Sequence, residues 1–328
     1  MTDYKSAYRK QLEDAQARMA GSTEVFFDAS KSLQDRLEAF KNFGTFNEEE
    51  HIRKGMEILH DDTQPEDLRA AILEGLINEV SRNEKLMDEV IVILRDASAP
   101  VKLRRAALTV LQASSFSSSI FPVKRPAYLN ALRDLIDSAD PILKQSAMEH
   151  LAMNNDSYIQ SRLVEGLKEP DKEITPPEVA IQLLSYDLHA EHFPILREIA
   201  ENPPNVRSKK EALRNLAADP DSRDLLLQNL QDPTVDPETR HVCAVALETV
   251  LPGDAQPYAK AIILDENEDE ELKTAMLNTL TYSVETNALN DSEFKHKLEN
   301  AKQQIASPNF KAVYSQYKSA AEQIKKNK

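Results

Sequence analysis

A pattern that returns about every 34 residues constrains this chain more than anything else in it. Phe43, Leu76, Leu111, Leu151, Leu184, Leu216, Leu247 and Leu280 are separated by 33, 35, 40, 33, 32, 31 and 33 residues. Three residues before each anchor stand Phe40, Leu73, Leu108, Met148, Ile181, Leu213, Ala244 and Leu277. Four before stand Ala39, Ile72, Ala107, Ala147, Ala180, Ala212, Cys243 and Met276, mostly small. Seven before stand Arg36, Arg69, Arg104, Lys144, Lys209, Arg240 and Lys273, with Pro177 the exception. Offsets of 0, 3, 4 and 7 fall on one face of an α-helix. Each repeat therefore holds a helix with an apolar stripe that a long basic side chain enters in its first turn.

A second marker lies upstream, an apolar residue followed two positions later by a carboxylate. The pairs are Phe26/Asp28, Leu59/Asp61, Leu94/Asp96, Leu135/Asp137, Leu167/Glu169, Ile199/Glu201, Leu230/Asp232 and Ile263/Asp265. The carboxylate sits 15 residues before the anchor, or 14 in the Asp137 repeat. Another helical stripe precedes it, as in Val90-Ile91-Leu94 or Leu226-Leu227-Leu230. Prolines at 65, 100, 141, 176, 177, 203, 204, 233 and 237 punctuate the turns. Each unit reads as helix, acidic turn, helix. A lone helical hairpin cannot bury its apolar face, so neighbours must cover it. The fold expected is all-α: an α-solenoid of about eight helical hairpins with capping helices at both ends. The capping segments are 1–23 and 283–328, and the repeats span 24–282. The turn carboxylate and the basic residue are expected to form a ladder, the basic head donating to the carboxylate of its own or the next repeat.

Stretches such as Asp96-Ala97-Ser98-Ala99-Pro100-Val101-Lys102-Leu103-Arg104 and Asp232-Pro233-Thr234-Val235-Asp236-Pro237-Glu238-Thr239-Arg240 resemble the HEAT-repeat, armadillo-like family over residues 24 to 282. The Thr-Pro-Leu-His signature of ankyrin repeats is absent, as are the Trp and Leu-Gly-x-x-Tyr markers of tetratricopeptide repeats. Some HEAT-type proteins are enzymes. Deoxyhypusine hydroxylases are similar and hold iron through His-Glu pairs; here the order is reversed in Glu149-His150 and Glu191-His192. HEAT-like DNA glycosylases use a basic groove with aromatics, which an acidic chain without tryptophan does not offer. Phycobilin lyase subunits use short HEAT-like units of similar spacing. They keep open an accessory or chaperone-like role beside an enzyme.

With 40 basic and 55 acidic residues, the net charge is −15. Nucleic-acid and anionic-membrane surfaces rest on clustered Lys and Arg, so neither partner is expected. The longest apolar run, Val242 to Leu247, is far short of the roughly 20 residues a membrane-spanning helix needs. Residues 1 to 20 mix charges and lack the apolar core of a signal peptide. The single cysteine, Cys243, excludes an internal disulfide and suits a reducing compartment. A cytoplasmic protein is expected.

No phosphate loop, Cys-x-x-Cys or His-Glu-x-x-His occurs. Asp187, His189 and His192 crowd together, but two or three local ligands make a poor metal site. Cys243 takes a small-residue slot equivalent to Ala212 and reads as a buried, inert thiol. Asp265 to Glu271 lacks the calcium-loop pattern and reads as an extended acidic turn ending in a helix's first turn. Ser114 to Pro126 reads as an inserted loop whose Phe116, Ile120 and Phe121 fold back onto neighbouring helices. No cofactor, metal or catalytic residue is expected.

The expected function is therefore non-catalytic, a scaffold or adaptor that binds a protein or peptide. The HEAT resemblance implies that the second helix of each hairpin lines a concave binding face. Offsets of −2 and −6 from the anchor point away from the core stripe. They nominate Glu74, Arg105, Gln145, Glu149, Gln182, Lys210, Arg214, His241 and Asn278 as the partner-binding set, mixed in charge and polar.

Overall fold

The computed structural model describes residues 8, 20–187, 192–250, 253, 255–283 and 287–326, and these are mostly helical with no strand among them. Two compact units divide the chain, Met1–Asn154 and Asn155–Lys328.

Unit 1 contains α1 (20–27), α2 (Leu33–Phe40), α3 (Glu49–Leu59), α4 (Glu66–Gly75), α5 (Ile77–Val80), α6 (Glu84–Arg95), α7 (Val101–Ser117), α8 (Phe121–Asp134) and α9 (Pro141–Met153). Helices α3 and α4, α6 and α7, and α8 and α9 pack as sequential pairs. The second members also pack on one another, α4 on α7 and α7 on α9. Unit 2 contains α10 (Ser157–Lys168), α11 (Pro177–Leu184), α12 (Phe193–Glu201), α13 (Val206–Asn215), α14 (Arg223–Gln231), α15 (Pro237–Val250), α16 (Gln256–Leu264), α17 (Glu270–Tyr282), α18 (Asn287–Asn290), α19 (Ser292–Ala301) and α20 (Pro308–Lys326). The same order recurs there: α10 with α11, α12 with α13, α14 with α15, α16 with α17, and the second members in series from α11 through α13, α15 and α17 to α20. The anchors from Leu76 to Leu280 are all buried, as are their partners at −3 and −4.

The chain makes these helices with local caps. Asn83, Asp140, Asp156, Asn205, Asp269 and Asp291 each accept from a backbone N–H in the first turn of the helix that follows, satisfying donors with no partner inside the helix. Proline begins α9, α11, α15 and α20, where its missing N–H costs nothing.

Two expectations need correction. The first anchor, Phe43, lies beyond the end of α2 in a turn, and Phe46 fills the core place instead. The Phe46 ring sits among Phe26, Phe27, Phe40 and Phe43, with centroids 5.3 to 6.2 Å away. Its N–H donates to the Gly75 carbonyl at 2.8 Å, at the interruption between α4 and α5. A Cβ on Gly75 would stand 2.4 Å from the ring, so glycine is what lets the ring approach. The second correction is the insertion. Residues 114 to 126 are largely helical, because α7 runs on to Ser117 and α8 starts at Phe121. Ser118 Oγ accepts from the N–H groups of Ile120 and Phe121, both at 3.2 Å, and Pro122 suits the first turn of α8. Phe121 is buried as expected, but Phe116 is 86% exposed.

Most of the N-terminal capping segment expected over 1–23 lies outside the described residues. At the other end the described part of 283–328 forms α18, α19 and α20. No helix among the described residues is long and apolar enough to cross a membrane.

Candidate partner-binding face

The four arginines that enter second helices have a different hydrogen-bond partner from the one expected. Arg36 Nε donates to the Phe26 carbonyl at 2.7 Å, Arg69 to Leu59 at 3.0 Å, Arg104 to Leu94 at 3.1 Å and Arg240 to Leu230 at 2.9 Å. In every case the acceptor lies ten residues upstream, in the last turn of the first helix. Carbonyls there have no partner within the helix and carry the negative end of its dipole, so a cation satisfies both. The guanidinium thus pins the end of one helix to the start of its mate. Lysine has no Nε in its side chain and cannot make this bond by the same geometry.

The turn carboxylate is occupied locally instead. Asp28 accepts from the N–H and hydroxyl of Ser30 at 2.8 and 2.7 Å, Asp61 from Thr63 at 3.0 and 2.6 Å, Asp96 from Ser98 at 2.8 and 2.6 Å, and Asp232 from Thr234 at 2.8 and 2.7 Å. These are Asx turns, which shape the reversal between helices. The hydroxyl and backbone bonds hold all four carboxyls below their ordinary value. The ladder expected between carboxylate and cation is therefore a turn and a staple whose charges still act on each other. The arginine of the same repeat also lowers each of these four carboxyls, and Arg69 pairs with Asp62 of its own turn at 2.7 Å. Arg240 alone of the four staples reaches a carboxylate in the next repeat, gripping Glu268 with both terminal nitrogens, one at 2.8 Å. Glu268 lies in the acidic stretch 265 to 271, which forms the expected turn and leads into α17.

Between consecutive second helices runs a further set of polar ties. Lys102 pairs with Asp67 at 2.7 Å. Arg105 grips Asp140, the N-cap of α9, with a forked guanidinium, its Nε at 3.2 Å. Asn205 donates to Glu178 at 3.2 Å, and Lys210 holds Glu238 and, at 3.4 Å, Asp236. Glu270 accepts the N–H groups of Ala306 and Ser307, just before α20 begins, at 3.1 and 2.9 Å.

These ties separate the nine nominated residues into two groups. At offset −6, Arg105, Lys210 and His241 are half-buried between neighbouring helices, and the first two are already committed to carboxylates within the chain. Burial holds the His241 imidazole below its ordinary value, so it is neutral at pH 7. Gln145, also at −6, is exposed and donates to Glu149 at 2.9 Å. At offset −2, Glu74, Gln182, Arg214 and Asn278 are exposed and Glu149 is half-buried. Arg214 reaches back to Glu211 on its own helix. Glu74 is open to solvent on one side, yet the protein around it raises its carboxyl above the ordinary range. The same offset also exposes Lys41, Thr109 and Val245. The −2 spacing in the sequence marks these three as it marks the others.

The other groups weighed for chemistry are accounted for as follows. Cys243 is fully buried, and burial pushes its thiol up to about 12, so no thiolate forms near neutrality. Asp187 accepts from Gln160 at 2.7 Å, His192 is buried, and His189 lies outside the described residues. Among the described residues no three His, Cys, Asp or Glu side chains group as metal ligands. Set against known proteins, the chain matches no family model and no curated protein.

Proposed function

We propose that the chain is a HEAT-like α-solenoid of about eight helical hairpins, capped by 1–23 and 283–328, that serves as a non-catalytic scaffold or adaptor holding a protein or peptide partner on its second helices. One observation carries the reading. In seven repeats the residue two before the anchor stands on a second helix, and in six of them it is open to solvent, on helices that within each unit pack one beside the next. Side chains carried on packed helices, with Arg105 and Lys210 beside them tied down, lose less freedom on binding than side chains on mobile segments.

The test is co-purification with paired substitutions. Val245→Asp combined with Asn278→Asp changes the row without touching the core. Val92→Asp, on the exposed side of a first helix, is the control. A partner recovered with the native chain and the control, and lost with the pair, is the expected result. Equal recovery with all three would remove the second-helix face from consideration.

A further inference from the structure

Where lysine takes the place of the stapling arginine, one position is unlike the others. Lys144 and Lys209 are half-buried and partly open to water. Lys273, on α17, is only 5% exposed, and its ammonium has no hydrogen bond or ion pair among the described residues. An ammonium carries three donors and no acceptor, and keeping it from water unpaired costs free energy. Its side chain lines a cavity of about 270 Å³ bounded by the end of α16, the turn 265–269, the start of α17 and the turn before α20. Four carboxylates share that cavity. Two are already engaged, Glu268 with Arg240 and Glu270 with the N–H groups of Ala306 and Ser307. Asp265 is bonded through one oxygen only, to Asn267, and Glu266 is exposed with no bonded partner among the described residues.

We propose that this cavity binds a small zwitterion, a free α-amino acid, whose carboxylate meets the Lys273 ammonium and whose own ammonium meets Asp265 and Glu266. The charges select this class. A plain anion would satisfy Lys273 but stand among carboxylates, and a plain cation would leave Lys273 buried and unpaired. A molecule that carries both charges close together answers both needs. The volume lies just under the range of about 300–1,000 Å³ that holds drug-sized ligands, so the occupant is small. The slot itself supplies the contrast. In the four staples an arginine Nε donates to the carbonyl ten residues upstream. Here that carbonyl belongs to Ile263, which lines the same cavity, and a lysine leaves its donors for a ligand. The site stands apart from the partner-binding reading and does not depend on it.

Isothermal titration of the full chain with the free α-amino acids, glycine first, tests the proposal, with acetate and ethanolamine as the two halves of the zwitterion. At least one amino acid should bind with a Kd below about 1 mM, and both halves at least about tenfold more weakly. Lys273→Arg should weaken that binding at least about tenfold while Tm is kept or raised, because the new Nε can take the Ile263 carbonyl. Glu266→Gln, at an exposed position, should weaken it at least about threefold, and it repeats the test should Lys273→Arg lower Tm. Acetate or ethanolamine binding as tightly as the amino acid, affinity unchanged in both variants, or no amino acid bound at all would each overturn the proposal.

Discussion

The same helix position is chemically different in the two units. At offset −2, unit 1 carries Lys41, Glu74, Thr109 and Glu149, and unit 2 carries Gln182, Arg214, Val245 and Asn278. Nearly all are exposed. Helical periodicity and packing settle which position faces out, and place no demand on what stands there. Where the position faces in, tolerance vanishes: the anchors at 0, −3 and −4 are apolar in both units. The staples differ too. Unit 1 uses Arg36, Arg69 and Arg104 and has Lys144 in its fourth slot; unit 2 has Pro177, Lys209 and Lys273 in three slots and a single arginine, Arg240, whose guanidinium also reaches Glu268. Unit 2 thus concentrates in one buried contact what unit 1 spreads over three.

The largest expected effect tests that concentration. Arg240→Ala strands both the Leu230 carbonyl and the Glu268 carboxylate, which is only 15% exposed, and should cost about 3 kcal/mol in denaturant unfolding. Gly75→Ala in unit 1 drives a Cβ into the Phe46 ring, held on several sides by other rings. About 2 kcal/mol should be lost, read the same way. Arg104→Ala removes a single charge-assisted bond to a carbonyl, and about 1 kcal/mol is expected, with partner recovery unchanged. If Arg104 and Arg240 cost the same, the link to Glu268 adds nothing and the contrast between the units fails.

Acid should separate the units by a smaller margin. Burial holds His192 and His241 in unit 2, and His150 in unit 1, below the ordinary 6.5. The unfolded chain takes up those protons first, so stability falls as pH drops through that value. Glu74 in unit 1 is raised above its ordinary 4.5, so the folded state binds its proton more readily and stability there is regained on further acidification. Hydrogen exchange followed from pH 7.5 to about 5 should show unit 2 losing protection first. Equal loss would mean the imidazoles do not set the difference.

Much of this was legible in the sequence. The second helices, their buried stripe, the turn carboxylates and the acidic stretch at 265 to 271 fall where period and punctuation put them. The partner of the arginines was not legible. A cation and a carboxylate at fixed spacing invite pairing, yet each found a closer mate: the carboxylate a hydroxyl two residues on, the cation a carbonyl ten residues back. Nor was Phe46 legible as a core residue, since it replaces Phe43 only through a ring-to-glycine approach between α2 and α4. The 114 to 126 segment read as a loop from its serines and prolines. It folds as helix because a serine hydroxyl and a first-turn proline suit a helix start.

What the sequence determined alone was the helical character and the inward stripe, because burial of apolar surface at a 3.6-residue period is a local property repeated many times. Which polar atoms meet was decided only by the tertiary structure. Hydrogen bonds depend on ångström-scale approach between helices, and several acceptors compete for each donor. On that scale Arg105 and Lys210 at −6 became ties within the chain, and the −2 side chains other than Glu149 were left open to solvent.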